Sequence, residues 1–239
     1  MQITSLNNDL IKELVRLHKK KERDLSAAFL IEGDHLIEEA TRSSLKMKTF
    51  GLRGCDVEIT EHIAQKLSQT KSGSTVFARV EKPKYELKKG MRYFLCDGIQ
   101  DPGNLGTIIR TAHSFGFDAI IVSPDSVDEY NDKVIRSTQG SIFHIPVLRM
   151  DLTNAITQLK AWNVDVYASA LSDDSIGLSN VDASNPVAIV LGSEGAGVSK
   201  SIMNQCDGTV KIETSQFESL NVAVASAIMA YHLRKEIQE

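Results

Sequence analysis

Residues 92–123 decide the fold class, and they read RYFLCDGIQDPGNLGTIIRTAHSFGFDAIIVS. The stretch begins with an apolar run that ends at Asp97, which is typical of a buried strand. A turn-rich loop, GIQDPG, follows, and Asn104 is predicted to cap a helix over about 104–116. A second apolar run, AIIVS, predicts another buried strand. Two buried strands joined by a helix predict a parallel pair in a sheet covered by helices.

The same alternation continues to the end of the chain. Further strands are predicted at IFHIPVL, VDVYASA, VAIVLG and TVKI, and further helices around residues 131–138, 151–161, 199–205 and 219–236. This pattern predicts a mostly parallel α/β domain over residues 91–239. Ligands of such sheets bind beyond the carboxyl ends of the strands, so a site is expected in the loops after Asp97, Leu191 and Ile212.

The first 80 residues predict a separate, smaller α/β domain. Apolar residues at helical spacing over 6–17 predict a first helix. Strands predicted at AAFLIEG, MKTFGL, DVEIT and STVFARV then alternate with helices at DHLIEEATRS and TEHIAQKLSQ, which Asp34 and Thr60 are predicted to cap. Residues 81–90, EKPKYELKKG, are polar and contain a proline, which predicts a linker between the two domains.

The first of the three strand-end loops leads into a helix that carries two notable polar residues. Asn104 and Arg110 lie on an arc away from the apolar face of the predicted helix. The simpler interpretation is an N-cap and a solvated arginine, because asparagine is common at caps.

The second loop, GSEGAG at residues 192–197, has three glycines in six residues. Glycines allow a ligand to approach the backbone closely. The loop has neither the Gly-Lys-Ser/Thr ending of a P-loop nor the glycine spacing of a dinucleotide fingerprint. Glu194 has little packing role between glycines, although an acid that favours the following helix is the simpler interpretation.

The third loop precedes the apolar stretch SLNVAVASAIMAY, residues 219–231. Ser219 is predicted to cap a helix from Leu220 to about Glu236. Asn221 would then be an amide inside an apolar helix, where it requires a hydrogen-bond partner.

The charge of the chain is unevenly distributed. The net charge is −4, but residues 1–90 carry 17 basic and 13 acidic side chains, and residues 91–239 carry 10 and 18. Part of the basic excess forms a cluster near the N-terminus that includes Lys19, Lys20, Lys21 and Arg23. Such a cluster is able to bind phosphates. From charge alone, the solvated end of a surface helix is the simpler interpretation.

Cysteine usage and hydropathy limit the class of protein. Cys55, Cys96 and Cys206 are far apart in the sequence, which predicts free thiols in a reducing cytosol and no zinc site. No apolar run reaches 18 residues, so no transmembrane helix is expected, and the N-terminus lacks a signal-peptide core. These features predict a cytoplasmic protein without metal or membrane.

The three loops together resemble the three ordered motifs of the SpoU/TrmH family, S-adenosylmethionine-dependent RNA ribose 2′-O-methyltransferases of the SPOUT class. The resemblance rests on Asn104-Leu105-Gly106 with Arg110, then GSEGAG, then SLNVAVA from residue 219. KVIRSTQGSIFHIPV is similar to the family's middle strand region. ITSLNNDLIKELVRL and FLIEGDHLIEEA are similar to its N-terminal substrate-binding extension, so the resemblance covers nearly the whole chain.

The resemblance implies a C-terminal domain threaded as a deep trefoil knot, a rare exception to unknotted topology. It implies a homodimer whose active site is completed across the dimer interface. The cofactor, S-adenosylmethionine, is expected to contact Gly192, Gly197, Ile212, Leu220 and Asn221. One departure is that ETSQFE follows Ile212 without the proline and the later glycine that the family usually has.

The resemblance also implies catalytic roles for Arg110, Asn104, Glu194, Ser219 and Asn221. The expected reaction methylates a ribose 2′-hydroxyl of structured RNA, with 23S rRNA favoured and the N-terminal basic cluster supplying RNA contacts. Four alternatives stay open: a tRNA substrate, methylation of a base, a non-catalytic RNA-binding protein with the same fold, and a nucleotide-binding oxidoreductase. The last is disfavoured because the early glycine fingerprint is missing.

Overall fold

The computed structural model describes residues 2–216 and 219–234. Contacts within the chain define two compact units. The first consists of Met1–Lys84 with Tyr130–Phe143, and the second of Tyr85–Glu129 with His144–Glu239. The boundary at residue 84 lies in the expected linker. Residues 130–143, expected in the C-terminal domain, belong by their contacts to the first unit.

The helices and strands follow one another along the chain with short connections. Up to residue 97 they are β1 (Gln2–Ile3), α1 (Asp9–Arg16), α2 (Lys20–Ser26), β2 (Ala28–Glu32), α3 (Asp34–Arg42), β3 (Met47–Gly51), β4 (Val57–Ile59), α4 (Glu61–Leu67), β5 (Val76–Glu81) and β6 (Arg92–Asp97). The remaining elements are α5 (Pro102–Ser114), β7 (Ala119–Val122), α6 (Asp132–Thr138), β8 (Val147–Arg149), α7 (Leu152–Ala161), β9 (Asp165–Ser169), β10 (Ile176–Gly177), β11 (Val187–Gly192), α8 (Lys200–Met203), β12 (Gly208–Lys211) and α9 (Val222–Leu233).

The first unit is built on a mixed sheet in the order β1–β4–β3–β5–β2. Strand β5 pairs antiparallel with β2 and β3, whereas β4 pairs parallel with β1 and β3. Ile11 and Leu14 of α1, Ile63 of α4, and Phe50 and Phe77 of the sheet are fully buried in one core. Burying these five large side chains stabilises the unit, by about 1.5–3 kcal/mol each on transfer scales.

The predicted N-terminal elements are present, with three local differences. The basic cluster lies on a separate helix, α2, rather than at the end of the first one. Gly33 is the N-cap of α3, so Asp34 is its first helical residue and the predicted cap is wrong. Thr60 is the N-cap of α4 by position, but its side chain makes no capping hydrogen bond.

The second unit contains a seven-stranded sheet in the order β10–β12–β9–β11–β6–β7–β8. Each of its strand pairs is parallel, which confirms the predicted architecture. The central strand β11 is buried along its whole length, and its last residue Gly192 pairs in register with Asp97 of β6. The loops after β6 and β11 are therefore neighbours at the carboxyl edge of the sheet.

The prediction of a long strand at IFHIPVL is wrong. Residues Ser141–Phe143 form a 3-10 turn, and the strand begins only at Val147. Gln139 and Gly140 adopt left-handed backbone conformations, with φ of 50° and 88°, which turn the chain before the apolar run. Pro146 then has no N–H to donate to a sheet.

Arg92 fastens the amino-terminal edge of the same sheet. Its side chain is 3% exposed and donates hydrogen bonds to the carbonyl oxygens of Leu233 (2.5 Å), Asn185 (2.7 Å) and Ala183. The end of α9 is thereby joined to the loop before β11. Within the described part of the chain, no helix is long and apolar enough to cross a membrane.

Candidate active site

A cleft of about 480 Å³ lies at the carboxyl edge of the parallel sheet. Residues from the loops after β9, β11 and β12 and from the start of α9 line it. The lining includes all five residues predicted to bind the cofactor, namely Gly192, Gly197, Ile212, Leu220 and Asn221. A cavity of this size is in the range of small-molecule sites. The structure thus brings together residues that are up to 29 positions apart in the sequence.

Asn104 connects the three predicted motifs. The expectation that it caps its helix is wrong, because the side chain of Asp101 is the N-cap and accepts a hydrogen bond from the Asn104 backbone N–H at 2.8 Å. The Asn104 side chain is therefore available. Its Nδ2 donates to Glu194 Oε1 at 2.6 Å, and its Oδ1 accepts from Asn221 Nδ2 at 3.1 Å. We call this arrangement the Asn104 bridge.

Asn221 is the N-cap of α9, so the predicted cap at Ser219 is wrong. Its Oδ1 accepts hydrogen bonds from the backbone N–H groups of Ala223 (2.9 Å) and Val224 (3.3 Å). Its Nδ2 is the donor of the Asn104 bridge. The amide thus lies before the helix, with both of its ends bonded, and Ser219 is an exposed residue of the cleft wall. The predicted helix end near Glu236 lies outside the described residues.

The glycine-rich loop closes on itself just above β11. Ser193 and Gly197 exchange backbone hydrogen bonds at 3.1 and 2.9 Å, and Gly197 has a left-handed φ of 66°. A Cβ added to Gly192 would lie 2.0 Å from the carbonyl carbon of Gly197, so only glycine fits there. Glu194 projects from the loop and is exposed. The backbone N–H groups of Ser193, Ala196 and Gly197 are already bonded within the loop, so close approach of a ligand to its glycines stays a prediction.

Arg110 lies six residues after Asn104 on α5 and does not line the cleft. It is exposed, and its guanidinium makes no hydrogen bond or ion pair with the described residues. The structure therefore joins Asn104, Glu194 and Asn221 directly but leaves Arg110 unengaged nearby on the same helix.

Two contributions to the site were not predicted from the sequence. Residues 169–171, at the end of β9 and directly after it, line the cleft, and Leu171 is exposed. The sequence contained a signal for this contribution, because these residues end the predicted strand VDVYASA and begin a strand-end loop like the other three. Asp97 Oδ2 accepts a hydrogen bond from Ser199 N at 2.8 Å, which anchors the exit of the glycine-rich loop to β6.

The cysteines are not reactive groups of this site. All three are free thiols, as predicted. Burial raises the pKa of Cys96 to about 12 and that of Cys206 to about 11, so both are protonated at physiological pH. Among the residues that the structure describes, no cluster of histidine, cysteine and carboxylate side chains is suited to a metal ion.

The N-terminal basic cluster is only partly exposed to solvent. Lys19, Lys20 and Lys21 are exposed, and Lys20 pairs with Asp24 at 2.6 Å. Arg23 is 5% exposed and donates a hydrogen bond to the Leu17 carbonyl oxygen at 2.8 Å. Arg23 therefore supports the turn between α1 and α2 instead of presenting its charge to a partner. Of the altered loop ETSQFE, residues 217 and 218 lie outside the described part of the chain.

Comparisons with known proteins bear on the family to which this chain belongs. Residues 91–231 match the model of the SpoU rRNA Methylase family, and residues 8–54 match an MRM3-like substrate binding domain. The 23S rRNA (guanosine(2553)-2′-O)-methyltransferase RlmP of Bacillus subtilis is 38% identical over 98% of this chain and 99% of its own length. Two crystal structures of an rRNA methyltransferase from Sinorhizobium meliloti, the second with AdoMet bound, superpose on this chain with TM-scores of 0.88 and 0.85. They are 28% and 29% identical, and each covers 98% of this chain and at least 96% of its own. This chain belongs to the SpoU rRNA methylase family.

Proposed function

We propose that this protein transfers a methyl group from S-adenosylmethionine to a ribose 2′-hydroxyl of 23S rRNA. Membership of the SpoU rRNA methylase family supports the reaction class, and the Bacillus subtilis relative supports the substrate. The observation that carries the proposal is the Asn104 bridge, because it joins residues of all three motifs beside one cleft.

The cleft fits S-adenosylmethionine in size and in the chemistry of its lining. Gly192 and Gly197 are wall residues without side chains, and Ile212 and Leu220 supply apolar surface for a nucleoside. We assign these four residues and Asn221 to the cofactor. When bound, its sulfonium supplies an activated methyl group. We assign Ser219 to holding the part of the cleft wall that contacts the cofactor.

We assign Arg110 to the phosphate beside the target ribose. A guanidinium forms paired hydrogen bonds with phosphate oxygens and is effectively never deprotonated in proteins. It therefore orients the RNA and stabilises charge that develops on the 2′-oxygen, and it does not act as the general base. Proton removal then falls to the phosphate or to water.

Asn104 and Glu194 are assigned to positioning at the mouth of the cleft. One carboxylate oxygen of Glu194 is held by Asn104, and the other accepts no hydrogen bond from the residues that the structure describes. That second oxygen is available to Arg110 or to a donor of the RNA. Holding reacting groups at close to 3 Å is the main contribution such residues make.

Contacts to RNA are proposed for Lys19, Lys20 and Lys21 at the start of α2, supported by the match of residues 8–54 to a substrate-binding domain. Replacing all three by glutamine should weaken binding to RNA of any nucleotide sequence and reduce the salt dependence of that binding. Filter binding at several salt concentrations measures this, with Lys71→Gln, another exposed lysine of the same unit, as the control.

We propose that the protein is a cytoplasmic homodimer with a deep trefoil knot in its second unit. Support for the dimer comes from an exposed apolar stripe on α9, where Val224, Ile228 and Tyr231 are 50%, 39% and 58% exposed at helical spacing. Family membership supports the knot. Ile228→Glu should shift the sedimentation coefficient from dimer to monomer, and an unchanged dimer would exclude this surface.

The experiment that tests the function maps ribose methylation in cells with and without the gene for this protein. We expect one 23S rRNA position to lose its 2′-O-methyl group and to regain it when the gene is restored. Loss of a tRNA methylation instead would support the tRNA alternative, and a changed base methylation would reject ribose chemistry. No change in any RNA would contradict the proposal and favour the non-catalytic alternative.

A further inference from the structure

Glu213 follows directly after Ile212, a residue of the cleft wall, and its side chain reaches a neighbouring strand end. Glu213 Oε1 accepts a hydrogen bond from the Ser179 hydroxyl at 2.5 Å and from the Ser179 backbone N–H at 3.3 Å. The hydroxyl contact holds the pKa of Glu213 below its ordinary value. Strands β10 and β12 run parallel with Gly177 opposite Lys211, so Ser179 and Glu213 leave the sheet side by side.

The sequence makes room for this carboxylate. A Cβ added to Gly177 would lie 2.2 Å from Glu213 Oε1 and 2.8 Å from its carboxyl carbon. Any larger residue at 177 would therefore push the carboxylate away from Ser179. Glycine in a strand often marks such a close approach.

The segment that Glu213 holds is itself fixed on its other side. Leu178, at the start of the 3-10 turn 178–180, is 4% exposed. The His232 Nε2 atom of α9 lies 3.2 Å from the Val181 carbonyl oxygen. Residues 176–181 are thus anchored to the body of the unit, and Glu213 attaches the start of the third-motif loop to this anchor.

We propose that Glu213 is a positioning residue for the cofactor. Its bond to Ser179 fixes the direction of the backbone directly after Ile212. The bond thereby holds Ile212 in the cleft wall, where the nucleoside is expected to pack. The inference rests on the proposed function, in which the cleft holds S-adenosylmethionine. It assigns no contact between Glu213 and substrate, so Glu213 acts on affinity and not on the methyl-transfer step.

Calorimetry of S-adenosylmethionine binding tests this role. Glu213→Ala should weaken binding about threefold to fivefold, the range for loss of a solvent-exposed, charge-assisted hydrogen bond. Glu213→Gln, which keeps an acceptor oxygen, should retain most of the affinity. Ser179→Ala should weaken binding by a similar factor, because it removes the shorter, hydroxyl bond to Glu213. The double variant should bind no more weakly than Glu213→Ala, because both single variants remove that bond. The kcat at saturating cofactor should stay within about twofold.

The control is Asp174→Ala, an exposed carboxylate of the same region with no hydrogen bond to the described residues. It should bind the cofactor as the wild type does. Hydrogen exchange of the cofactor-free protein supplies a readout independent of the ligand, in which residues 176–181 should exchange faster in Glu213→Ala and in Gly177→Ala.

Three results would overturn the inference: unchanged affinity in Glu213→Ala, an equal loss in Asp174→Ala, or additive effects of the Glu213 and Ser179 variants. Failure of the proposed function looks different, because the wild-type protein itself would then not bind S-adenosylmethionine.

Discussion

Gly192→Ala is expected to disrupt the cofactor cleft and leave the sheet intact. The added Cβ would lie 2.0 Å from the carbonyl carbon of Gly197 and 2.1 Å from the Val198 nitrogen. Both are backbone atoms, so no side-chain rotation relieves the overlap. Carbon atoms pack at about 3.5–4.0 Å, so the loop of residues 193–197 must retreat by roughly 1.5 Å.

The expected magnitudes follow from that displacement. Inserting a methyl group into packed structure costs about 1–3 kcal/mol, and this loop is free to absorb it because it is exposed. The thermal midpoint should therefore fall by several degrees only, at about 2–4 °C per kcal/mol. The loop also carries Glu194 and part of the cleft wall. Since a misplacement of about 1 Å costs on the order of 100-fold in rate, turnover should fall at least that far. Binding of S-adenosylmethionine should weaken at least about tenfold.

Calorimetry measures the expected loss of S-adenosylmethionine binding, and thermal melts measure the expected loss of stability. Gly195→Ala is the matched control, because an added Cβ there meets no atom within 4 Å in the same loop. It should bind the cofactor within about twofold of the wild type, as expected for a substitution without a steric clash. Tight binding by Gly192→Ala, or an equal loss in Gly195→Ala, would refute the reasoning.

Three further variants test other parts of the site and the fold. Arg110→Ala should lower turnover on RNA about 100-fold to 1000-fold, as for removal of a charge-stabilising donor, and Arg110→Lys should recover part of it; near-normal rates in both would reject the assignment. Asn104→Asp should destabilise the protein by about 1–2 kcal/mol in urea unfolding, because two carboxylates then meet, and adding Glu194→Gln should reverse most of that loss. Arg92→Met should lower the free energy of unfolding by roughly 3 kcal/mol in the same assay, because it leaves buried carbonyl groups without their hydrogen-bond donor.

The sequence was sufficient to locate the site but not to say which atoms meet there. Parallel strands end at one edge, so the loops after Asp97 and Leu191 were expected along that edge. That they are neighbours follows only from the pairing of β6 with β11 in the structure. The caps of the two helices at the candidate site, α5 and α9, were predicted at the wrong residue, although each region contains a good capping candidate two or three residues away. Asp101 and Asn221 are the caps, where Asn104 and Ser219 were expected. Helix starts are uncertain by such a margin, and here the margin determines which side chain is free to form the bridge.

Residues 130–143 illustrate a second limit of sequence analysis. They follow β7 in the chain and read as the next helix of the parallel domain. In the structure, the ring of Tyr130 stacks on Phe29 at 4.6 Å, and Arg136 lies 3.8 Å from Glu32, both partners being residues of β2. No local pattern predicts which of two sheets an amphipathic helix will cover, because both surfaces offer apolar area. Only the long-range contacts decide it.

The Asn104 bridge also limits the roles that Asn104 and Arg110 can have in the mechanism. Both ends of the Asn104 amide are already bonded in the structure, to Glu194 and to Asn221. Its remaining capacity is one N–H and one oxygen lone pair. In the structure Asn104 therefore joins loops and does not hold Arg110, which is exposed and makes no hydrogen bond or ion pair with the residues that the structure describes. We expect Arg110 to become ordered by the RNA or by a second copy of the chain, as the proposed function requires. Catalytic geometry should then form only in the assembled complex, which favours specificity because an arginine without its RNA partner is not yet placed for methyl transfer.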